Sequence, residues 1–249
     1  MVKKPLPYFY VSLTTRKKIE LNSLGATAIL VFANSAKEDL ANKRIAKGEQ
    51  LFNILTTATL RKAKNTGLPV FHFSEENQIG NSFGERFTNA IASVFEKGFT
   101  SVITIGNDTP HLKTQQLKHT AKQLAKGKSV IGPSIDGGFY LLGLQKSNFE
   151  VGEFQDLPWQ RFGLYHKITM WLQEESTALV KLPVLQDLDT EKDLKAILSF
   201  SKDLPTTLLL AIIAILRVNR SLYYTNHHFF RLFPNSFLYN KGSPLVSFI

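Results

Sequence analysis

The first 200 or so residues alternate between short β-branched apolar runs and longer stretches of helical periodicity, and this alternation restricts the fold more than any other property of the chain. Residues 26–33, Ala-Thr-Ala-Ile-Leu-Val-Phe-Ala, form a nearly unbroken apolar run. It is short and β-rich, as suits a strand buried on both faces of a sheet. Ser35-x-x-Glu38 then has the form of a helix-start capping box. One long helix is expected from there to about Lys64, with Leu51, Ile54, Leu55 and Ala58 on one face. Asn65-Thr66-Gly67 stops it, glycine being common just past a helix end. The same reading gives strands at 68–73, 102–106, 130–131, 138–144 and 178–185. Helices are expected at 83–97, 114–125 and 165–175, and from Thr190-x-x-Asp193 to about Phe200. Strands alternating with helices predict a mostly parallel sheet covered on both faces. The 138–144 strand follows its predecessor too closely for a helical crossover, so antiparallel pairing is expected there.

The chain has 249 residues, 43% of them hydrophobic and 20% charged, which is ordinary for a globular protein with a buried core. It has no cysteine, which excludes disulfides, zinc–thiolate sites and thiol catalysis. Met1-Val2-Lys3-Lys4-Pro5 is not followed by an apolar stretch, so a secretory signal is not expected. The longest apolar stretch, Leu208 to Leu216, falls far short of the roughly 20 residues that span a bilayer. The expected compartment is the cytoplasm. The net charge of +10 favours an anionic partner. No long basic block is present, so a solvated basic surface and a nucleotide diphosphate account for the charge as well as nucleic acid does.

Residues 1–24 are polar and irregular, with one strand-like patch at 8–13. Beyond Pro205 an apolar helix-like run reaches Val218, and Tyr223, Tyr224, Phe229, Phe230, Phe233, Phe237 and Tyr239 follow. Aromatic residues of this kind pack an appended segment onto a core more often than they stack bases. A homodimer contact is the alternative. The expected organisation is one α/β domain over 1–204 and a packed extension over 205–249.

Carboxylates recur just past the expected strand ends. Asp108 lies in Ile-Gly-Asn-Asp-Thr-Pro at 105–110, Asp136 in Asp-Gly-Gly at 136–138, and Asp187 and Asp189 in Asp-Leu-Asp-Thr at 187–190. Ligand sites of open α/β sheets lie in this position. A hard cation such as Mg²⁺ or Mn²⁺ takes such oxygens together with those of a phosphate. Each motif also has a plainer reading. Asp-Thr-Pro suits a turn into the next helix. Asp136-Gly137-Gly138 lets a backbone approach a ligand closely, but Asp-Gly is also a hairpin signal. Alternate spacing puts Asp187 and Asp189 on one side of an extended segment, but Asp189 also suits a helix N-cap. Trp159, one of two tryptophans, either lines a sugar or base pocket or sits in the core. The histidines are scattered, and neither the dinucleotide fingerprint nor the P-loop is present.

Taken in order, the motifs carry a resemblance. They are Ala-Ile-Leu-Val-Phe-Ala at 28–33, Phe-Gly-Glu-Arg-Phe at 83–87, Ile-Gly-Asn-Asp-Thr-Pro at 105–110, Gly-Pro-Ser-Ile-Asp-Gly-Gly-Phe-Tyr-Leu-Leu-Gly-Leu at 132–144, Leu-Pro-Trp at 157–159 and Asp-Leu-Asp-Thr-Glu-Lys-Asp-Leu at 187–194. The series resembles the arsenosugar-biosynthesis glycosyltransferase-like family of the nucleotide-diphospho-sugar transferases, over about residues 26–200. The resemblance implies a glycosyltransferase A-type fold, a Rossmann-like three-layer α/β/α sandwich with a mostly parallel mixed sheet, binding a nucleotide-sugar and a divalent cation. By the same resemblance Asp108 takes the position of the metal-binding aspartate, and Asp108 and Asp136 are the catalytic candidates. Asn107 stands where the family has serine and is a substrate-binding candidate, and Asp136, Gly137 and Gly138 line the sugar or acceptor side. Asp187 and Asp189 match a second metal contact, and Arg86, in Gly-Glu-Arg, is placed to pair with phosphate.

One segment departs from the family. After the first strand the family shows Lys-x-Pro-x-Pro-Gly-x-x-Lys-Thr-Arg-Leu, a loop expected to cradle the nucleotide. Residues 34–45 here read Asn-Ser-Ala-Lys-Glu-Asp-Leu-Ala-Asn-Lys-Arg-Ile. Arg44 remains with Lys43 beside it, while Glu38 and Asp39 are poor neighbours for a diphosphate. The expected function is a metal-dependent transferase using a nucleotide-activated sugar, with Lys43, Arg44 or Arg86 on the phosphates and an unidentified acceptor. The alternatives are a nucleotidyltransferase on the same fold and a degenerate binding protein that keeps it. No nucleic-acid partner and no membrane span are expected.

Overall fold

The computed structural model describes residues 26–43, 45, 48–174, 178–199 and 204–229. The strands are β1 (Thr27–Phe32), β2 (Val70–Phe73), β3 (Ser101–Ile105), β4 (Ser129–Pro133), β5 (Phe139–Gln145) and β6 (Leu179–Lys181). The helices are α1 (Ala36–Asn42), α2 (Glu49–Lys64), α3 (Phe83–Glu96), α4 (Thr114–Leu124), α5 (Val151–Gln155), α6 (Leu164–Glu174), α7 (Glu191–Leu198) and α8 (Thr206–Phe229).

The strands form a six-stranded sheet in the order β2-β1-β3-β5-β4-β6. β1 runs parallel to β2 and β3, and β4 parallel to β6. β5 runs antiparallel to both neighbours, as its short connection from β4 requires. Successive β1 residues feed opposite cores. Ala28 and Leu30 join Phe87, Ile91 and Phe95 of α3, Phe154 of α5 and Ile168, Trp171 and Leu172 of α6. Ile29 and Val31 join Ala63 of α2 and Leu117 and Leu124 of α4. With apolar residues on both faces, β1 reads as a continuous hydrophobic run and helices cover the sheet on either side. This is the expected α/β sandwich.

The expected long helix of 35–64 is two helices. Ser35 caps α1 as its sequence suggested, its Oγ accepting from the Glu38 N–H. The chain then turns extended at Lys43 (φ −99°, ψ 143°), and α2 begins after Gly48. Ile45 is buried in the cluster that also holds Phe52, and a side chain at Gly48 would meet both. Tertiary packing overrides a helical pattern that local sequence leaves unbroken.

Three smaller differences follow. β6 is only Leu179–Lys181, with a single bridge, Ser134 to Leu185, continuing its pairing. The short α5, not expected from periodicity, sinks Phe154 into the core. α8 continues past Val218, and its Leu208, Ile212 and Ile215 pack with Leu51, Phe52 and Leu55 of α2 and Leu194 and Ile197 of α7. The strand-like patch at 8–13 and the aromatic side chains of 223–239 lie outside the described residues. Among the described residues no helix is long and apolar enough to cross a membrane.

Candidate functional site

The strand order places the acidic motifs together. β1 sends its next parallel strand to one side and β3 lies on the other, so the crevice at their carboxyl ends is the topological switch point of the sheet. Asp108 follows β3 at this edge. β4 and β6 run in the same direction as β3, so the turn holding Asp136 and the segment holding Asp187 and Asp189 emerge there too. Backbone bonds fix the approach: Leu188 N donates to Asp108 O at 2.9 Å, and Ile135 N to Leu185 O at 3.1 Å.

At the centre is a lysine. Lys43 Nζ lies 2.9 Å from Asp108 Oδ2 and 3.0 Å from Asp189 Oδ1, and donates to Leu188 O at 3.1 Å. These three partners take all three ammonium protons. The Lys43 side chain is 13% exposed, against 30% for Asp108 and 50% for Asp189, so the charge is held at the mouth of the crevice rather than deep in the core. Burial works against a charge there, but the two carboxylates outweigh it and hold the Lys43 pKa above the ordinary lysine value. The residue expected on phosphates therefore grips two of the carboxylates expected on metal.

The turn after β3 is held from the same side by two more contacts. Asn107, expected to face substrate, is buried and donates its amide to Asp39 Oδ2 and Thr56 Oγ1, each at 2.9 Å. Burial pushes the Asp39 carboxyl above its ordinary pKa, opposed by the bond from Asn107. Asp39 thus points into the α1–α2 packing and not at a ligand. Lys62 Nζ donates to Pro110 O at 2.6 Å, and burial, with Arg61 adding to it, pushes its amine down to about 8.

The other acids are arranged differently. Asp136 is exposed and turns back on its own loop, its Oδ1 accepting from Ser134 Oγ and from Gly138 N at 2.9 Å. Gly137 has φ +92°, which other residues rarely adopt, so Asp-Gly-Gly serves as a turn as well as a candidate binding loop. Asp187 is half-buried and accepts from Thr109 Oγ1. Burial and then the Asp108 charge push its carboxyl up to about 7, against the opposing bonds from Thr109 and Ser134. Asp189 is not the helix cap. Thr190 is, its hydroxyl exchanging bonds with Asp193 in a capping box that leaves Asp189 for Lys43.

Of the remaining expected residues, Arg86 lies in the first turn of α3 and is part-exposed. Arg44 lies outside the described residues. Trp159 packs against Phe83, Phe87, Phe139 and Phe154, and its Nε1 donates to Phe154 O, which is the core reading. Gly84 has its reason here, since a side chain at that position would run into the Trp159 ring. One pair was not anticipated. Glu75, just past β2, accepts from both the backbone N–H and the hydroxyl of Ser35 at the start of α1. The strand-end rule that picked out Asp108 applies equally to Glu75.

The acids offer hard oxygen ligands, but they do not fit a divalent cation as they stand. A Mg²⁺ ion binds its oxygens at about 2.1 Å. An ion bridging Asp108 and Asp189 would lie against the ammonium that already bridges them, a like charge with no lone pair to donate. Among the described residues no three His, Cys, Asp or Glu side chains group so as to hold a metal.

Residues 40–161, just under half of the chain, match the family described as "Uncharacterized protein conserved in bacteria (DUF2064)". That family, not the arsenosugar-specific one, is the match found. No curated protein sequence matches the chain. Among solved structures, a Desulfovibrio desulfuricans protein assigned by its name to the nucleotide-diphospho-sugar transferases aligns with a TM-score of 0.66 at 21% identity, over 80% of this chain and 97% of that one. A Mycobacterium tuberculosis protein solved with manganese aligns with a TM-score of 0.46 at 14% identity, over 71% of this chain and 100% of that one. At such identities the first likeness establishes the fold, a mixed sheet flanked by helices as in the nucleotide-diphospho-sugar transferase structure.

Proposed function

We propose that the protein is a transferase that binds a nucleotide-activated sugar in the crevice at the carboxyl ends of β1 and β3. The observation that carries this reading is the convergence of Asp108, Asp136, Asp187 and Asp189, from three separate strand ends, on the switch point of a sheet of this fold. Fold alone does not assign activity, but motif and position agree. The 136–138 turn, exposed and with a free carboxylate oxygen, lines the sugar or acceptor side. Among the described residues Arg86, part-exposed in the first turn of α3, is a cation placed to meet a phosphate. Asp108 and Asp136 remain the catalytic candidates.

A second reading is favoured by one observation. The Lys43 ammonium is fully bonded, and the Glu75 carboxylate takes the donors at the start of α1. Polar groups that a nucleotide would engage are engaged within the protein, as in a degenerate relative that keeps the fold as a binding module. Thermal shift and calorimetry with UDP-, GDP-, CMP- and dTDP-sugars, and with the free nucleotides, separate the two. The transferase reading expects one sugar nucleotide to stabilise the protein by several degrees, and the shift to disappear in Asp136→Ala. Absence of any nucleotide-dependent shift would sink it and leave the binding-module reading. Release of pyrophosphate from a nucleoside triphosphate would instead indicate nucleotidyl transfer.

A further inference from the structure

We propose that Lys43 is the resident cation of this crevice, occupying the place of a divalent metal and competing with one for Asp108 and Asp189. The inference rests on the reading of the crevice as a nucleotide-diphosphate site, because it is that reading which calls for a cation. Three facts of geometry carry it. Lys43 Nζ bridges one carboxylate from the end of β3 and one from the segment after β6, 2.9 and 3.0 Å away. Its third proton goes to the carbonyl of Leu188, the residue between the two acids of that segment. The backbone is shaped for the contact, since α1 ends at Asn42 and Lys43 itself is extended (φ −99°, ψ 143°).

An ammonium and a small dication seek the same surroundings, several oxygens converging on one point. They differ in charge and in tether. The lysine brings one positive charge where a metal brings two, so it balances only one of the two aspartates it bridges. It also arrives covalently attached, at a high local concentration and without the cost of stripping a hydration shell from a free ion. The segment after β1 and the acids at 108 and 189 are thus parts of one arrangement.

Titration with Mn²⁺ alone, read by calorimetry and by the loss of the free-ion EPR signal, tests this on the full chain. The wild type is expected to bind Mn²⁺ only weakly. Lys43→Met is expected to bind it at least about tenfold more tightly, because the ligand charge is no longer compensated. The gain is expected to be absent in Lys43→Arg, which keeps a cation, and in Lys43→Met combined with Asp108→Asn, which removes a ligand. Equal Mn²⁺ affinity in wild type and Lys43→Met would overturn the proposal. Should Lys43→Met not fold, the wild type and Asp108→Asn are compared directly. A saturable wild-type Mn²⁺ site lost in Asp108→Asn overturns the proposal, and weak binding in both supports it. Sugar-nucleotide binding is measured on the same samples. If it fails while the metal gain appears, the function reading falls and the resident cation stands.

Discussion

Two walls hold the turn at 107–110, and they hold it by different physics. The α1–α2 wall reaches across with side chains: Asp39 to Asn107, Lys43 to Asp108 and Lys62 to the Pro110 carbonyl. The wall formed by 185–190 uses mainly its own backbone, Leu188 N to Asp108 O, with one hydroxyl, Thr109 to Asp187. The first wall gives the Asp108 charge an opposite charge, Lys43, brought from far along the sequence. Among the described residues the second brings no cation to its half-buried acid, and burial, with the Asp108 charge adding to it, pushes the Asp187 carboxyl up. An arrangement of long side chains can be lost by single substitutions. One made of backbone cannot, so the first wall is where this site is open to change.

The largest effect is therefore expected at Asn107. Replacing it with leucine keeps the branched shape but strands the Asp39 carboxylate in a buried position, with Thr56 Oγ1 also losing a donor. Leaving a buried charged group without its partner costs about 2–3 kcal/mol. Urea denaturation of Asn107→Leu checks this. A loss no greater than that of an exposed turn substitution would mean the first wall does not hold the turn.

Lys62 gives a pH-dependent test of the same wall. Its amine titrates near 8 in the fold and at 10.5 in a free lysine. Between those values the unfolded chain carries the proton and the folded protein does not. Stability must then rise with pH across that window, by on the order of 2 kcal/mol once partial exposure is allowed for. Lys62→Met lacks the group, so its stability is expected to change less over pH 8 to 10.5. Parallel curves for the two proteins would show that the amine is not buried as described.

The walls also differ in how much of them could be read in the sequence. The acids of Asp108, Asp136 and Asp187 were legible because each follows a strand end, and parallel strands deliver their carboxyl ends to one edge. The α/β class was legible for the same reason, since burial on both faces writes itself as a continuous apolar run. The first wall was not, because its contacts join residues about 50 to 70 apart in sequence, and no local pattern records them. Lys43 looked like the interior of a helix, although Gly48 within that pattern was a signal of the break. Asn107 reads as a substrate contact from its place in the Asn-Asp-Thr-Pro motif, yet its side chain is held by Asp39 of α1 and Thr56 of α2. Of the two caps the sequence offered for α7, Asp189 and Thr190, the structure uses Thr190, whose capping box with Asp193 closes the helix start and leaves Asp189 to Lys43.

The smallest effect on stability is expected on the second side, at Asp136. The residue is exposed, and its carboxylate bonds only within its own turn, to Ser134 and Gly138. Truncation in Asp136→Ala leaves the Ser134 hydroxyl with another acceptor, the Asp187 carboxylate. It leaves Gly137 free to keep its positive φ. The cost should stay below about 1 kcal/mol, a shift in Tm of no more than about 4 °C for a domain of this size. If Asp136 serves a ligand, the same substitution should abolish the sugar-nucleotide shift while leaving Tm of the free protein nearly unchanged. A residue that matters little to the fold and decisively to binding is what the second side predicts. A large loss of stability with binding intact would make Asp136 a structural turn and move the acceptor side elsewhere along the edge.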